Sequence, residues 1–430
     1  MLYEGARLVP GDGSAPIDDA VLLVEGGTIT AVGSRAEVSV PPHASRVALH
    51  GKTVIPALVS LHVHLGYQDG LSYDADNYTR ATIADHLERY AYYGIGTVVS
   101  LGTDAGPLVF DIRRSQEQED DGAVGLADTS RLRTAGRGLA APNAGPGSPA
   151  LRASAHGVTS EEEARGYVAD LAAEGVDVIK IWVDDRNGTV PKLEPALYRA
   201  IIDEAHAWDK RVIAHVFYQA DAVDLVQAGV DGFAHLVRDQ EMDGALVSAL
   251  VERGVFIMPN LGVSERRVHA EPPVWLEDPF LRVSVPADVT ERAAERFHQA
   301  TDTDAARGRE RYEAMERSVA RLVEAGAHIV LGADSGVRDH FPGYAEHREL
   351  ELMVAAGLTP AQAIAAATGR AAEALEFEDV GVLASGKVAD FLVLDADPLE
   401  DITNTRRISD VYLRGKPLDR SALAAGWAGF

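Results

Sequence analysis

A chain of 430 residues with 46% hydrophobic and 25% charged residues can bury a large core, which excludes disordered and fibrous classes. Forty Lys and Arg against 66 Asp and Glu give a net charge of −26, a surface that repels phosphate backbones and anionic lipid and so argues against nucleic-acid and peripheral-membrane roles. The absence of Cys removes disulfides, thiolate zinc fingers, iron–sulfur centres and a Cys nucleophile.

The opening MLYEGARLVPGDG has neither the basic start nor the apolar run of a signal peptide. Residues 1–56 read as short strands, with a hairpin at AVLLVEGGTITAVG, where Gly-Gly separates two β-prone runs. The same texture returns in GVLASGKVADFLVLDAD and ISDVYLRGKPL, so the two ends are expected to pair. Between them, β-branched runs occur at 54–64, 96–101, 176–183, 212–217, 230–235, 255–259 and 328–334, with a weaker one at 131–136. Helical patterns such as TSEEEARGYVADLAAEG, PALYRAIIDEAHAWDK and QADAVDLVQAG lie between most of them. Several end in Ala-Gly or Glu-Gly, the expected helix stop. Strand and helix alternating about eight times predicts an α/β fold with a parallel sheet closed as a (β/α)8 TIM-like barrel. An open doubly wound sheet is the alternative, but no glycine fingerprint for a nucleotide is present. The expected units are a barrel over 57–375 and a small composite β-sandwich built from 1–56 and 376–430.

Two stretches break the rhythm. Residues 135–154 are rich in Gly, Pro and Ala, and 263–306 are long and polar with Trp275 and Phe280. Both are expected to be loops at the active face, the second a mobile lid. Residues 352–369 are uncharged, but Pro360, Gln362 and two Thr mark a packed helix and not a membrane span. A cytoplasmic, soluble protein is expected.

The chemistry begins at Leu61-His62-Val63-His64. On a strand, positions i and i+2 share a face, so both imidazoles would point inward and could hold a transition metal. A hydrogen-bonded core pair is the structural alternative. Lys180 lies inside Val178-Ile179-Lys180-Ile181-Trp182, where an unpaired ammonium is costly and its charge must be paired, lost or modified. His215 ends RVIAHVF, His235 ends GVDGFAHL and Asp334 ends HIVLGADSG, each at the C-terminal end of a β-prone run, where barrel enzymes place their sites.

With IPALVSLHVHLG, GVDVIKIWVDD, AHVFYQADAVDLVQAGVDGFAHL, LGADSG and ELELMVAAGLTPAQAIAAATGRAAEALE, the chain resembles the metal-dependent amidohydrolase superfamily. The branch is that of imidazolonepropionase-like and Xaa-Pro dipeptidase-like enzymes. The resemblance implies two divalent metal ions, most simply Zn2+. His62, His64 and Asp334 would hold the more buried ion and His215 and His235 the second, with Lys180 carboxylated on its side-chain nitrogen as a bridge. A hydroxide shared by the metals would attack the scissile carbonyl, and Asp334 would move its proton to the leaving amine. Tyr67 and Tyr218 are candidate donors to the oxyanion, and Arg338 and His340 candidate substrate contacts.

The resemblance departs from the family pattern at Ala57 and Ser60, where Gly and Asp are usual. By alternation Ser60 would lie on the His face one step deeper, so the lost carboxylate would weaken metal affinity somewhat. Asn143-Ala144-Gly145-Pro146-Gly147 stands where dipeptidase-like relatives often carry Gly-Gly-His. The expected activity is hydrolysis of amide-like C–N bonds in a small molecule such as an N-acyl amino acid, dipeptide or aryl amide. A carbamate, urea, lactone or phosphoester substrate, or a non-catalytic scaffold, are the alternatives. The expected partner is a small-molecule substrate, with no nucleic acid and no membrane, in a homo-oligomer.

Overall fold

The structure, a computed structural model, describes residues 1–118, 126–299 and 301–428. Residue 300 of the second insertion, residues 119–125 of the expected barrel and residues 429–430 of the expected composite unit lie outside the described residues. Among the described residues no helix is long and apolar enough to cross a membrane.

Strands from both chain ends join in one eight-stranded sheet. Leu2–Leu8, Ile17–Glu25 and Thr28–Ser34 run antiparallel, and Thr53–Pro56 carries the pairing across to Phe391–Leu394 and Ile408–Leu413. The sheet curls: Tyr3 on Leu2–Leu8 meets Phe391 and Tyr412, two and three strands away, at ring distances of 5.0 Å each.

The middle of the chain forms a TIM-barrel-like α/β fold. Parallel pairing runs from Leu58–Val63 to Ile95–Ser100 and Arg131–Thr134, and from Ile179–Val183 through Val212–Val216 and Gly232–Ala234 to Phe256–Met258. Asp177 N donates to Thr134 O at 2.8 Å across the gap between the two sheets. The eighth segment, expected at 328–334, is held by single bridges and not by a regular ladder. Ile329 pairs with Ile257 and Ser335 with Val63, and Leu61 N donates to Leu331 O at 3.0 Å, which returns the pairing to the first strand.

The four longest of these strands, Leu58–Val63, Ile95–Ser100, Ile179–Val183 and Val212–Val216, are buried on both faces, which is why they read as continuous apolar runs and not as alternation. Their inner side chains, among them Val59, Leu61, Val99, Val178, Ile213 and Phe256, form one cluster. Helix Gly369–Ala374 supplies Ala371, Ala372 and Ala374 to the same cluster. Glycine stops fall where the sequence puts them: Glu161–Glu174 ends at Gly175 (φ 82°) and Gln219–Ala228 at Gly229 (φ 92°).

The long insertion after Phe256–Met258 reaches the cavity through Val263, Ser264, Arg266 and Arg267, but its two aromatic residues turn elsewhere. Trp275 and Phe280 do not face the cavity: Trp275 sits 6.3 Å from Tyr344, and Phe280 is 4.7 Å from Tyr93 and 5.3 Å from His347. Buried Glu349 accepts from Leu261 N and Gly262 N at 2.7 Å each, fixing the start of helix Leu261–Glu265. At its end Glu265 accepts from Arg348 at 2.6 Å. Burial alone would raise the Glu265 carboxyl, but hydrogen bonds from His269 and Arg348 overturn this and hold it down at about 2.

Because its folded pKa lies below its unfolded one, Glu265 stabilises above the unfolded value of about 4.3, and that stabilisation is lost as pH falls toward about 2. Glu265→Gln is expected to cost about 1–3 kcal/mol at pH 7. Denaturant titrations at a series of pH values check this, with the deficit shrinking below about pH 4. A deficit independent of pH would remove the ion pair as its source.

Candidate metal centre

The first barrel strand delivers His62 and His64 inward through a register shift between Ser60 and Val63. The shift breaks the alternation. Val59 and Leu61 lie in the barrel interior, yet the rings of His62 and His64 also meet there, 5.2 Å apart. Ser60 therefore does not share the histidine face. Its hydroxyl donates to Glu346 Oε1 at 3.1 Å, in a buried set where Ser335 also donates to Glu346 (2.5 Å) and bonds Tyr90 (2.7 Å). The expected loss of a carboxylate beside the site is corrected on two counts. Ser60 faces the helical layer, and helix Tyr344–Ala355 brings a carboxylate to it, one that burial raises to about 7.

Asp334 is the hub. Its Oδ1 lies 3.0 Å from His64 Nε2 and 3.4 Å from His62 Nε2, and its Oδ2 lies 3.7 Å from His235 Nε2. Donor atoms of His62, His235 and Asp334 all fall within 4.8 Å of one another, a group able to hold a metal ion. Nδ1 of His64 bonds Thr103 Oγ1 at 2.9 Å, which leaves its Nε2 for the site. Asn260 Oδ1 lies 3.5 Å from His62 Nδ1 and accepts from His235 N at 2.8 Å. His235 (φ 75°), Asn260 (φ 49°) and Asp334 (φ 57°) are all in the left-handed region, a strained backbone that re-aims side chains just past a strand end. Gly336 (φ 82°) is required for a related reason: a Cβ there would stand 1.9 Å from His64 O.

Lys180 is wholly buried, and its Nζ has no hydrogen-bond partner, as is also true of His235 Nδ1. Burial pulls the Lys180 amine down to about 7. Burial likewise holds His62, His215 and His235 well below the usual imidazole range, so they are neutral at pH 7, the form that binds metal. Burial acts to raise Asp334, but His62, His64 and Lys180 around it outweigh that and keep it ionised. His215 stands a little apart. Its ring is 4.7 Å from that of His235, but its Nε2 lies 3.1 Å from Asp184 and 3.3 Å from Arg238.

A cavity of about 400 Å³ opens over these groups. Neither expected tyrosine lines it. The Tyr67 hydroxyl donates to Thr103 O, and its ring stacks on Tyr78 at 4.8 Å. Tyr218 donates to Asp185 at 2.8 Å, which pushes its phenol up to about 12. Both hydroxyls are spent on protein acceptors, so neither is placed to donate to an oxyanion. Tyr73, which the sequence reading missed, lines the cavity with Asp334. Of the candidate substrate contacts, Arg338 reaches the cavity, whereas His340 is buried against Ala333 O at 2.9 Å. Asp184 and Asn260 were missed too, although each follows a β-prone run as the histidines do. Tyr73 and Thr103 carried no such signal.

The Amidohydrolase family model matches residues 53–418. Ochratoxinase of Aspergillus niger is 25% identical over 97% of this chain and 86% of its own length. Imidazolonepropionase of Deinococcus radiodurans is 27% identical over 94% of this chain and 92% of its own. Among solved structures, phenylurea hydrolase B superposes with a TM-score of 0.78 at 23% identity, covering 99% of this chain and 98% of that one, a likeness of fold.

The Ser60–Glu346 contact gives a test. Ser60→Ala is expected to cost about 1–3 kcal/mol in a thermal or chemical melt while metal content stays unchanged. Ser60→Asp is expected to cost more, because it sets a second carboxylate against Glu346. Loss of metal from Ser60→Ala at unchanged stability would return Ser60 to the histidine face.

Proposed function

Since the chain belongs to the amidohydrolase family and is an enzyme acting on carbon–nitrogen bonds, we propose that it cleaves amide-like C–N bonds of a small molecule at a two-metal site in the barrel mouth. The observation that carries this reading is the buried Lys180 amine, which lies over the Trp182 ring but has no hydrogen-bond partner, near the Asp334 hub. A group so placed fits a role completed by a ligand it has yet to meet. Carboxylation by CO2 turns that amine into an anionic ligand with two oxygens. His62, His64 and Asp334 would hold one ion and His235 and His215 the other, with carboxylated Lys180 between them. For His215 this asks either that Nδ1 serve or that Nε2 leave Asp184. The imidazole-rich donor set suits Zn2+.

When bound, two divalent cations polarise the scissile carbonyl and lower the pKa of the attacking water. Asp334 accepts that water's proton and delivers it to the leaving nitrogen, a transfer its ionised state permits. Tyr73 and Tyr312 are the phenols that line the cavity, and either is available to the carbonyl oxygen. The strands and helices over 57–375 form the hydrolase unit, and 1–56 with 376–430 form a composite β-sandwich, a division supported by the sheet that draws from both ends.

Metal analysis of the purified protein is the first check, because a scaffold without activity has no need of stoichiometric metal. Lys180→Ala is expected to lose metal and activity, with small carboxylic acids partly restoring both; full activity in that variant would remove the bridge. Asp334→Asn keeps the shape and a neutral oxygen but cannot take the proton. Its kcat is expected to fall at least about 10²-fold with most metal retained. Parent-like turnover by a metal-filled Asn variant would take the proton transfer away from Asp334.

A further inference from the structure

The protein carries a net charge of −26, yet its cavity is lined by six arginines, Arg186, Arg238, Arg266, Arg267, Arg311 and Arg338. Against them the lining holds one carboxylate, Asp334, which the histidines already occupy. The six arrive from separate places: the loops after Ile179–Val183 and Gly232–Ala234, the segment after Phe256–Met258, helix Asp302–Glu324, and the turn beyond Asp334. Five separate segments thus bring like charges to one cavity mouth, with Arg267 and Arg338 exposed at its rim.

Their partners are unequal. Arg186 pairs with Asp184 at 3.0 Å and donates to Gly145 O at 2.8 Å, and Arg266 pairs with Asp339 at 2.6 Å. Arg238 donates to Val216 O at 2.9 Å and lies over Phe217 at 5.2 Å. Among the described residues, no carboxylate lies within ion-pair distance of Arg267, Arg311 or Arg338. Among the described residues, the contact that Arg311 makes is with the Phe217 ring, at 5.5 Å. The Nε atoms of Arg238 and Arg266 are buried without a hydrogen-bond partner. Burial lowers the Arg267 pKa first, and the charges of Arg266, Arg311, Arg186 and Arg338 lower it further, the signature of crowded like charges. A second cavity of about 410 Å³ shares Arg266, Arg267, Arg311 and Arg338 and adds Arg296 and Arg307 against Asp304 and Asp339, so its lining too is more basic than acidic.

Arg311 is half-buried and Arg267 and Arg338 are exposed at the rim, so what is costly there is the mutual repulsion of crowded like charges, which an anion joining them relieves. Guanidinium matches carboxylate with two parallel hydrogen bonds, and a site of this size holds a small molecule of dipeptide dimensions. We propose that this site selects substrates in which the scissile C–N bond is flanked by two or more carboxylates, an acidic N-acyl amino acid or an acidic dipeptide, with Arg267, Arg311 and Arg338 as the residues that determine specificity. The inference rests on the hydrolytic reading of the cavity and names the substrate class for it. Neutral aryl amides, which leave the arginines unmatched, are poor substrates on this view.

The test compares pairs that differ only in charge: N-acetyl-glutamate with N-acetyl-glutamine, N-acetyl-aspartate with N-acetyl-asparagine, and Ala-Glu with Ala-Gln. The acidic member of at least one pair is expected to have the higher kcat/KM by about 10²-fold or more. Arg267→Ala and Arg338→Ala are each expected to compress that ratio about tenfold, mainly through the KM of the acidic member. Binding supplies a readout independent of turnover. In calorimetry, glutarate is expected to bind the metal-loaded protein more weakly as salt rises and to be weakened in both variants, whereas glutaramide does not bind. Equal turnover within every pair would overturn the inference and leave the hydrolase reading standing. Glutarate binding without hydrolysis of any amide, carbamate or urea would support the anion site and overturn the hydrolase reading. Tight inorganic phosphate binding with no glutarate binding would assign the arginines to a phosphoryl group and overturn the dicarboxylate proposal.

Discussion

Asp334 is a single ionised carboxylate buried among groups that would otherwise have no reason to converge. Its two oxygens face three imidazoles, and its charge offsets the Lys180 amine nearby. Desolvation works against a charge at this position, and only the surrounding donors make it tenable. The same residue lies at the seam of the barrel: Asp334 N donates to His62 O at 2.8 Å, and His64 N donates to Ser335 O at 2.8 Å. The pairing of the first strand with the segment around Asp334 and the assembly of the site thus share the same residues. The left-handed backbone at Asp334 and His235 is held by hydrogen bonds to the neighbouring segments, Asp334 N to His62 O and His235 N to Met258 O at 3.1 Å.

Around this hub the work divides between rigid strands and loops. Strand ends place the titratable groups, and their positions follow from backbone pairing. The loops and the long insertion bring the arginines, and they are held by buried acids behind the cavity. Glu349 fixes the start of helix Leu261–Glu265, and Glu265 ties its end to Arg348, so Arg266 and Arg267 project from an anchored turn. Cation–ring contacts on Phe217 help to hold two of the six guanidinium groups.

The barrel was legible because its strands are buried on both faces and so leave β-branched runs, separated by helices with glycine stops. The eighth strand was legible as a run although it forms only isolated bridges. His62, His64, His215, His235 and Asp334 could be singled out because each ends such a run. Lys180 stood out as a charge within one. Tyr67 and Tyr218 were chosen for closeness in sequence, and closeness in sequence does not say where a hydroxyl is spent. Ser60 was misplaced because alternation assumes a regular strand, and the register shift beside it is invisible in a string of letters.

What the sequence by itself determined is therefore what depends on local periodicity: the alternating α/β architecture, the pairing of the chain ends, and the strand-terminal positions of the polar residues. Only the tertiary structure decided which of those residues face one another. It also decided that Glu346, 286 residues away, meets Ser60, and that six arginines from five segments line a single mouth. The physical reason is range. Backbone periodicity is set by neighbours a few positions apart, whereas ion pairing, orphaned donors and crowded charge arise between groups that only the tertiary fold brings within a few ångströms.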